Sequence, residues 1–475
     1  MIPILSGNVA SATASTGYTI DNSCRFNDDD TAYLSRTQTS GDATKFTYSG
    51  WMKRCLLTDA IDFLDIYDDN SNRFGFFWSY IDCIDMYNKT GGPLTFQKIT
   101  TAKFRDVSAW YHVVIAADSS LGVAEDRVKL WVNGVRITSF GTNTNISQDA
   151  SFSIHTSDDT QKIGAYGVSG SDYDGYMAEV FWIDGTAYDQ DDFGEFSEDS
   201  PNIWMPKDCK DDLTFGTNGF YLDFKDSADL GADVSGNSND FTVTNLAATD
   251  QATDTPTNNF ATFNPLNPEG TITYSEGNLK ANNSADASYR VAHSTFAVNN
   301  GKWYAEFKAD NMASSIDSNV GIISADQIVY STSSKNTDTY IGSWSYGANG
   351  RVSKYNADAQ TSQTTYTTGD IIGVALDIDN GYLYFAKNNT WQNSGDPTSG
   401  ATGTGGYALA NQTDLYYFVV STINSGGEHR WLANFGSPSY ANSSDAADAD
   451  GYGAFEYAPP SGFFSLCSAN LAEYG

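Results

Sequence analysis

The sequence predicts an all-β chain of two antiparallel β-sandwich domains in series. Three observations predict it. Strand-forming aromatics are dense, with 29 Tyr, 27 Phe and 10 Trp. Gly, Ser, Thr, Asn and Asp supply turns throughout, and no long stretch carries the 3.6-residue apolar period of a helix. At 475 residues there is room for roughly two to four domains, and either half is long enough to bury its own core.

Residues 1–20 are small and polar after the first five and read as an arm; docking on a partner subunit and plain flexibility are both open. Residues 21–207 alternate strands and turns. Phe46, Tyr48 and Gly50 alternate with Thr47, Ser49 and Trp51, and Val128, Leu130 and Val132 share a face opposite Lys129 and Trp131. Asn133-Gly134 then turns the chain into Val135 and Ile137, a strong hairpin signal because both turn positions take positive φ. Residues 208–264, rich in Asp, Asn, Thr and Ser, read as a linker with one candidate strand, 220–224, that would complete the first sandwich. A long structureless loop inside a compact domain is improbable, so the boundary is placed near 250–265. In the second block, 265–475, Ile372, Val374, Leu376 and Ile378 fall on one face. Asn380-Gly381 turns the chain, and Leu383 and Phe385 then point opposite to Tyr382 and Tyr384.

The net charge of -33 disfavours a nucleic-acid partner, because an acidic surface repels phosphate, and suits a salty medium. No run of 18 apolar residues exists, so membrane insertion is not expected. The first residues lack a basic region and do not read as a signal peptide. Five cysteines, Cys24, Cys55, Cys83, Cys209 and Cys467, with no C-x-x-C, signal neither a zinc site nor a disulfide framework. Buried free thiols are expected, with one or two bridges left open.

Three fragments of the first block, 110–114, 128–134 and 163–180, resemble the laminin-G-like, concanavalin A-like jelly roll in order and spacing. In the second block Gly301-Lys302-Trp303-Tyr304-Ala305-Glu306-Phe307, the stretch 369–377 with Asn380-Gly381, and Phe435-Gly436 resemble a SPRY domain. Both resemblances imply two-sheet, jelly-roll-type sandwiches whose end loops bind. The tandem itself, with the junction 253–260 and the ending Tyr457-Ala458-Pro459-Pro460-Ser461-Gly462-Phe463, resembles virion proteins of marine tailed bacteriophages. That resemblance implies a particle-exterior protein made in the host cytoplasm, released by lysis, and attached to other virion proteins through the arm. It also implies a homo-oligomer, a trimer as for phage appendages.

The concanavalin A-like clan includes glycosidases with paired carboxylates on one strand, often Glu-x-Asp-x-x-Glu. Here the nearest case, Glu179 to Asp184, has the wrong spacing, so no catalytic residue is assigned and the chain is read as a non-enzyme. His112, His155, His293 and His429 form no metal-ligand pair; His112 reads as packed within a strand. The resemblance implies a rim calcium as the only cofactor to consider. Asp65, Asp68, Asp69 and Asn70 form one oxygen-rich loop and Asp172 and Asp174 another, with solvated turns the plainer reading of both. Sugars stack their C–H faces on exposed aromatics, which makes Trp344, Tyr346 and Trp391 in the second block and Trp78 and Tyr80 in the first the candidate ligand-binding residues, core packing being the alternative. The function expected is host-surface adhesion of the tail-fibre or tail-tip type, recognising a glycan or protein. Structural decoration of capsid or tail, and a secreted bacterial lectin or polysaccharide hydrolase, are the alternatives.

Overall fold

The computed structural model describes residues 17–155, 158–167, 170–266, 272–284, 289–312, 318–327, 337, 340, 342–355, 357–422 and 427–475. Two compact units emerge, Ala14–Thr257 and Asn258–Gly475. Residues 1–16 of the expected arm lie outside the described residues.

The first unit packs two eight-stranded sheets face to face. One runs β10 (Val135–Ile137), β9 (Val128–Val132), β8 (Trp110–Asp118), β3 (Lys45–Arg54), β13 (Gly175–Asp184), β1 (Ser23–Phe26) and β18 (Gln251–Ala252), with β16 (Phe220–Leu222) also on β13. The other runs β11 (Phe140–Thr144), β7 (Leu94–Thr100), β6 (Ile84–Lys89), β5 (Arg73–Trp78), β4 (Ile61–Tyr67), β12 (Thr160–Ile163), β2 (Tyr33–Thr37) and β17 (Thr242–Thr244). A small hairpin, β14 (Gly194–Phe196) and β15 (Trp204–Pro206), lies apart.

Alternation explains which residues meet between the sheets. Phe46 and Tyr48 of β3, Val128, Leu130 and Val132 of β9, and Phe74, Phe76 and Trp78 of β5 point inward into one aromatic core. There Trp182 stacks on Phe46 with ring centroids 5.0 Å apart. Asn133 (φ 49°) and Gly134 (φ 74°) make the turn between β9 and β10. A Cβ on Gly134 would lie 2.2 Å from the Trp204 ring, so glycine is required there for space as well as for φ.

The stretch 208–264 departs from the linker expectation: through Thr257 it belongs to the first unit. Phe220, Leu222, Phe224, Leu230 and Phe241 enter the core, and β16, β17 and β18 extend its sheets. Asp254 accepts from Lys53 Nζ at 2.7 Å and Trp110 Nε1 at 3.0 Å, with both ion-pair side chains buried. The polar residues that suggested a linker close tight turns instead: the Asp233 carboxylate accepts from the amides of Tyr221, Ser235 and Asn239.

In the second unit one sheet runs β19 (Ile272–Ser275), β20 (Lys280–Asn283), β32 (His429–Asn434), β22 (Lys302–Met312), β27 (Ile371–Asp377), β28 (Tyr382–Lys387) and β29 (Thr390–Trp391). β30 (Tyr407–Ala408) joins β28, and β33 (Phe464–Ser465) pairs in parallel with β22. The opposing sheet runs β21 (Arg290–His293), β31 (Tyr416–Thr422), β23 (Asn319–Ser324), β24 (Trp344–Gly347), β25 (Val352–Lys354) and β26 (Ala357–Gln360). Ile372, Val374, Leu376, Leu383 and Phe385 enter the core, while Tyr382 and Tyr384 take the opposite face of the sheet, as the alternation requires, where Tyr384 is buried in a second cluster with Phe455 and Phe463. Helix α1 (Ser468–Tyr474) ends the chain. All five cysteines are buried and free.

Candidate functional site

A polar groove lies on the outer face of the β4–β7 sheet, and a bulge builds it. On β4 the side chains of Ile61, Phe63, Leu64 and Ile66 all enter the core, which strict alternation forbids. The pairing register with β5 shifts between Asp62 and Leu64, and the extra residue turns both Asp62 and Asp65 outward. From β5 come Arg73, Gly75 and Phe77, from β6 Asp85, Tyr87 and Lys89, and from β7 Gln97.

Register orders these side chains into rows. Asp62, Phe77 and Asp85 lie directly across from one another, then Asp65, Gly75, Tyr87 and Gln97, then Tyr67, Arg73 and Lys89. Of these, Asp62, Phe77, Asp85, Tyr87, Gln97, Arg73 and Lys89 line a cavity of about 370 Å³, within the size of small-ligand sites, with Tyr166 and Ser171 at its side and Ala60 and Leu94 at its ends. Phe77 is half-buried and forms an aromatic floor between the carboxyls of Asp62 and Asp85. Asp62 and Asp85 are two strand spacings apart, about 10 Å between their Cα atoms.

The three carboxyls are handled differently. Asp65 is fully satisfied: its Oδ1 accepts from Arg73 Nε at 2.9 Å, Arg73 Nη2 at 2.8 Å and Tyr87 Oη at 3.1 Å, and its Oδ2 from the Gly167 amide at 3.0 Å. Burial pushes this carboxyl up, and those donors pull against the shift. Asp85 accepts from Gln97 Nε2 at 3.2 Å on each oxygen, and burial raises it to about 6. Asp62, only 3% exposed, has no hydrogen-bond partner at Oδ1 among the described residues. Burial first, then the Asp65 charge, hold it well above the ordinary carboxylate range. Gly75 makes room for the Asp65–Tyr87 hydrogen bond that lies over it, since a Cβ there would meet Asp65 Oδ1 at 3.0 Å and the Tyr87 ring at 3.1 Å. The Arg73 guanidinium, besides its ion pair, stacks on Tyr166 at 3.3 Å from the ring centroid.

Most of the aromatics proposed from sequence lie elsewhere. Trp78, fully buried, faces the core of the first unit, because it continues the inward series of Phe74 and Phe76. Trp344 and Tyr346, two apart on β24, both face the second core; Trp344 Nε1 donates to the Ala408 carbonyl at 3.1 Å. Trp391 is half-buried, edge-on to Tyr384. Of the five only Tyr80, 70% exposed on the turn after β5, is fully presented to solvent, and no surface gathers the set.

The calcium candidates also separate. Asp65 is consumed by Arg73. Asp69 closes its own turn by accepting from the amides of Ser71 at 2.6 Å and Asn72 at 2.8 Å, and Asp68 sits exposed beside it. Asp174 is buried and Asp172 half-buried, pushed up by burial. Among the described residues no three His, Cys, Asp or Glu side chains converge as a metal set. His112 is packed: Trp204 Nε1 donates to its Nδ1 at 2.9 Å, and burial lowers the ring to about 3. Asp62, Phe77, Asp85 and Gln97 were not singled out from sequence. The usable signal was three carboxyls within about two dozen residues of alternating strand, which the bulge on β4 disguised.

Two family models match: the Concanavalin A-like lectin/glucanases superfamily over residues 27–190, and the SPRY domain over residues 302–422. A concanavalin A-like domain thus precedes a SPRY domain. Domains of these kinds are typically binding modules, and the groove lies wholly within the concanavalin A-like one. Among solved structures, the SPRY domain of human HERC1 is 16% identical, covering 36% of this chain and 96% of its own, with a TM-score of 0.28. A SAP-like pentraxin from Limulus polyphemus is 14% identical, covering 34% of this chain and 76% of its own, with a TM-score of 0.27. A further human SPRY domain is 14% identical over 34% of this chain and 95% of its own, with a TM-score of 0.26. No curated protein matches the chain by sequence.

Proposed function

We propose that this chain is a non-catalytic recognition protein whose concanavalin A-like domain holds a saccharide in the Asp62–Asp85 groove. The observation that carries the reading is the floor of that groove. A half-buried aromatic ring lies between two buried carboxyls, and Asp62 keeps an oxygen without an internal donor. Sugar C–H faces pack on aromatic rings while hydroxyls donate to carboxyl oxygens, so the constellation suits a pyranose ring lying on Phe77.

At the level of the organism, the reading is adhesion: a surface-exposed, receptor-binding component of a bacteriophage virion, of tail-fibre or tail-tip type. The tandem of two binding domains, the acidic charge and the resemblance of junction and C-terminal motif to phage virion proteins support it. Attachment to other virion proteins through the arm and self-association into a trimer belong to the same proposal. Many copies per particle would raise a modest per-site affinity by avidity.

The test is adsorption of the purified full chain to intact candidate host cells, with Phe77→Ser and Asp62→Ala alongside. Saturable binding that excess extracted surface polysaccharide competes away, and that both variants lose, is expected. Binding that survives both substitutions would move recognition away from this groove. Release of reducing sugar from that polysaccharide by wild type but not by Asp62→Ala would make the groove catalytic and overturn the binding-only reading.

A further inference from the structure

The groove is electrically lopsided along its length. Asp62 and Asp85 lie on either side of Phe77 in one row, with no basic residue in that row. The opposite end, four residues along β5 or about 13 Å away, is the row of Arg73 and Lys89. Arg73 is already engaged, by Asp65 from one side and Tyr166 from another. Lys89, half-buried at the cavity wall, has no ion-pair partner among the described residues. Between the ends the Tyr87 and Gln97 side chains line the cavity.

On the saccharide reading above, we infer that the groove binds its ligand in one orientation and selects it by charge. The ligand is a short oligosaccharide with a neutral, hydroxyl-rich unit on Phe77 and one anionic substituent, a carboxylate or sulfate, at the unit that reaches Lys89. The neutral unit donates hydroxyls to the Asp62 and Asp85 carboxyls. The next unit passes along Tyr87 and Gln97. The anionic group takes the free ammonium of Lys89 as a charge-assisted partner. An oligosaccharide acidic on every unit places a second anion beside Asp85 and is disfavoured by like-charge repulsion. The built feature that distinguishes this groove from a surface acidic cluster is Asp62, 3% exposed, lining the cavity and carrying an oxygen with no internal donor.

The experiment is binding of the full chain, wild type and Lys89→Met, to a printed panel of neutral, singly acid-terminated and fully acidic oligosaccharides, with titration of the best binder of each class. Singly acidic glycans are expected to bind best. Lys89→Met should weaken them about tenfold, the size of one charge-assisted hydrogen bond, while leaving neutral glycans unchanged. Preference for neutral or fully acidic glycans, or a ranking that Lys89→Met leaves unaltered, would overturn the charge selection while leaving the saccharide site standing. Binding of no glycan by wild type would overturn the saccharide reading itself. Lys89→Arg, which retains the charge, should keep the wild-type ranking and so separates lost charge from a disturbed strand.

Discussion

Asp62 sits where stability and binding oppose each other. Its burial with an unpartnered oxygen is unfavourable to the fold, so removing the carboxyl should not harm it. Asp62→Ala is expected to leave the unfolding temperature unchanged or raise it by about 2–4 °C, as about 1 kcal/mol does in a domain of this size, while ligand binding is lost. A fall of several degrees by calorimetry would show the carboxyl to be structural. Glu179 offers a second single-residue test. It occupies the bulge of β13 at φ 50°, 5% exposed, and accepts from Tyr221 Oη at 2.7 Å and Tyr18 Oη at 3.2 Å. Burial raises it from 4.5 to about 7, against those hydrogen bonds. The folded state therefore holds a proton that the unfolded chain releases, and stability from this group is present below pH 4.5 and lost as pH rises to about 7. The loss is on the order of 3 kcal/mol. Denaturant unfolding of Glu179→Gln should show a flatter stability profile between pH 4.5 and 7; an unchanged profile would mean that other groups govern it.

At the scale of elements, what could be read from sequence was whatever two-residue alternation or turn chemistry expresses locally. Val128 to Ile137 around Asn133-Gly134 announced a hairpin because facing and φ both follow from adjacent residues. Ile372 to Phe385 did the same, although there the turn spans four residues and only Gly381 takes positive φ. The groove was not legible, because it depends on a pairing shift between two strands: Asp62 and Asp65 are three apart, which a regular strand places on opposite faces. Trp78, Trp344 and Tyr346 were misplaced for a related reason, since an aromatic's facing depends on register. Of 208–257 only 220–224 read as a strand that would complete the first sandwich; its other core residues are separated by turns with no fixed period. Its contribution is testable. Lys53→Met strands the buried Asp254 and should cost about 3–5 kcal/mol by denaturant unfolding. A fragment ending at 207 should fail to fold where 14–257 folds with a cooperative transition. A stable, cooperative 21–207 would make the later strands dispensable.

For the whole molecule, the two units carry separate cores, one built around Phe46, Phe74 and Trp182 and the other around Trp303, Phe307 and Trp431. Each should therefore fold alone, and fragments 14–257 and 258–475 should each give a single unfolding transition by calorimetry. The tandem was legible from sequence because each domain carries its own short motifs, and the family matches fall on the same two blocks. The groove proposed as the recognition site was reached only through the folded sheet. The most direct test of a saccharide seated on Phe77 is saturation-transfer NMR of the full chain with oligosaccharides from the host surface, wild type against Phe77→Ser. Transfer to sugar ring protons, strongest on the C–H face that packs against the ring and abolished in Phe77→Ser, is predicted. Absence of transfer in wild type, or equal transfer in the variant, would contradict a saccharide site in this groove.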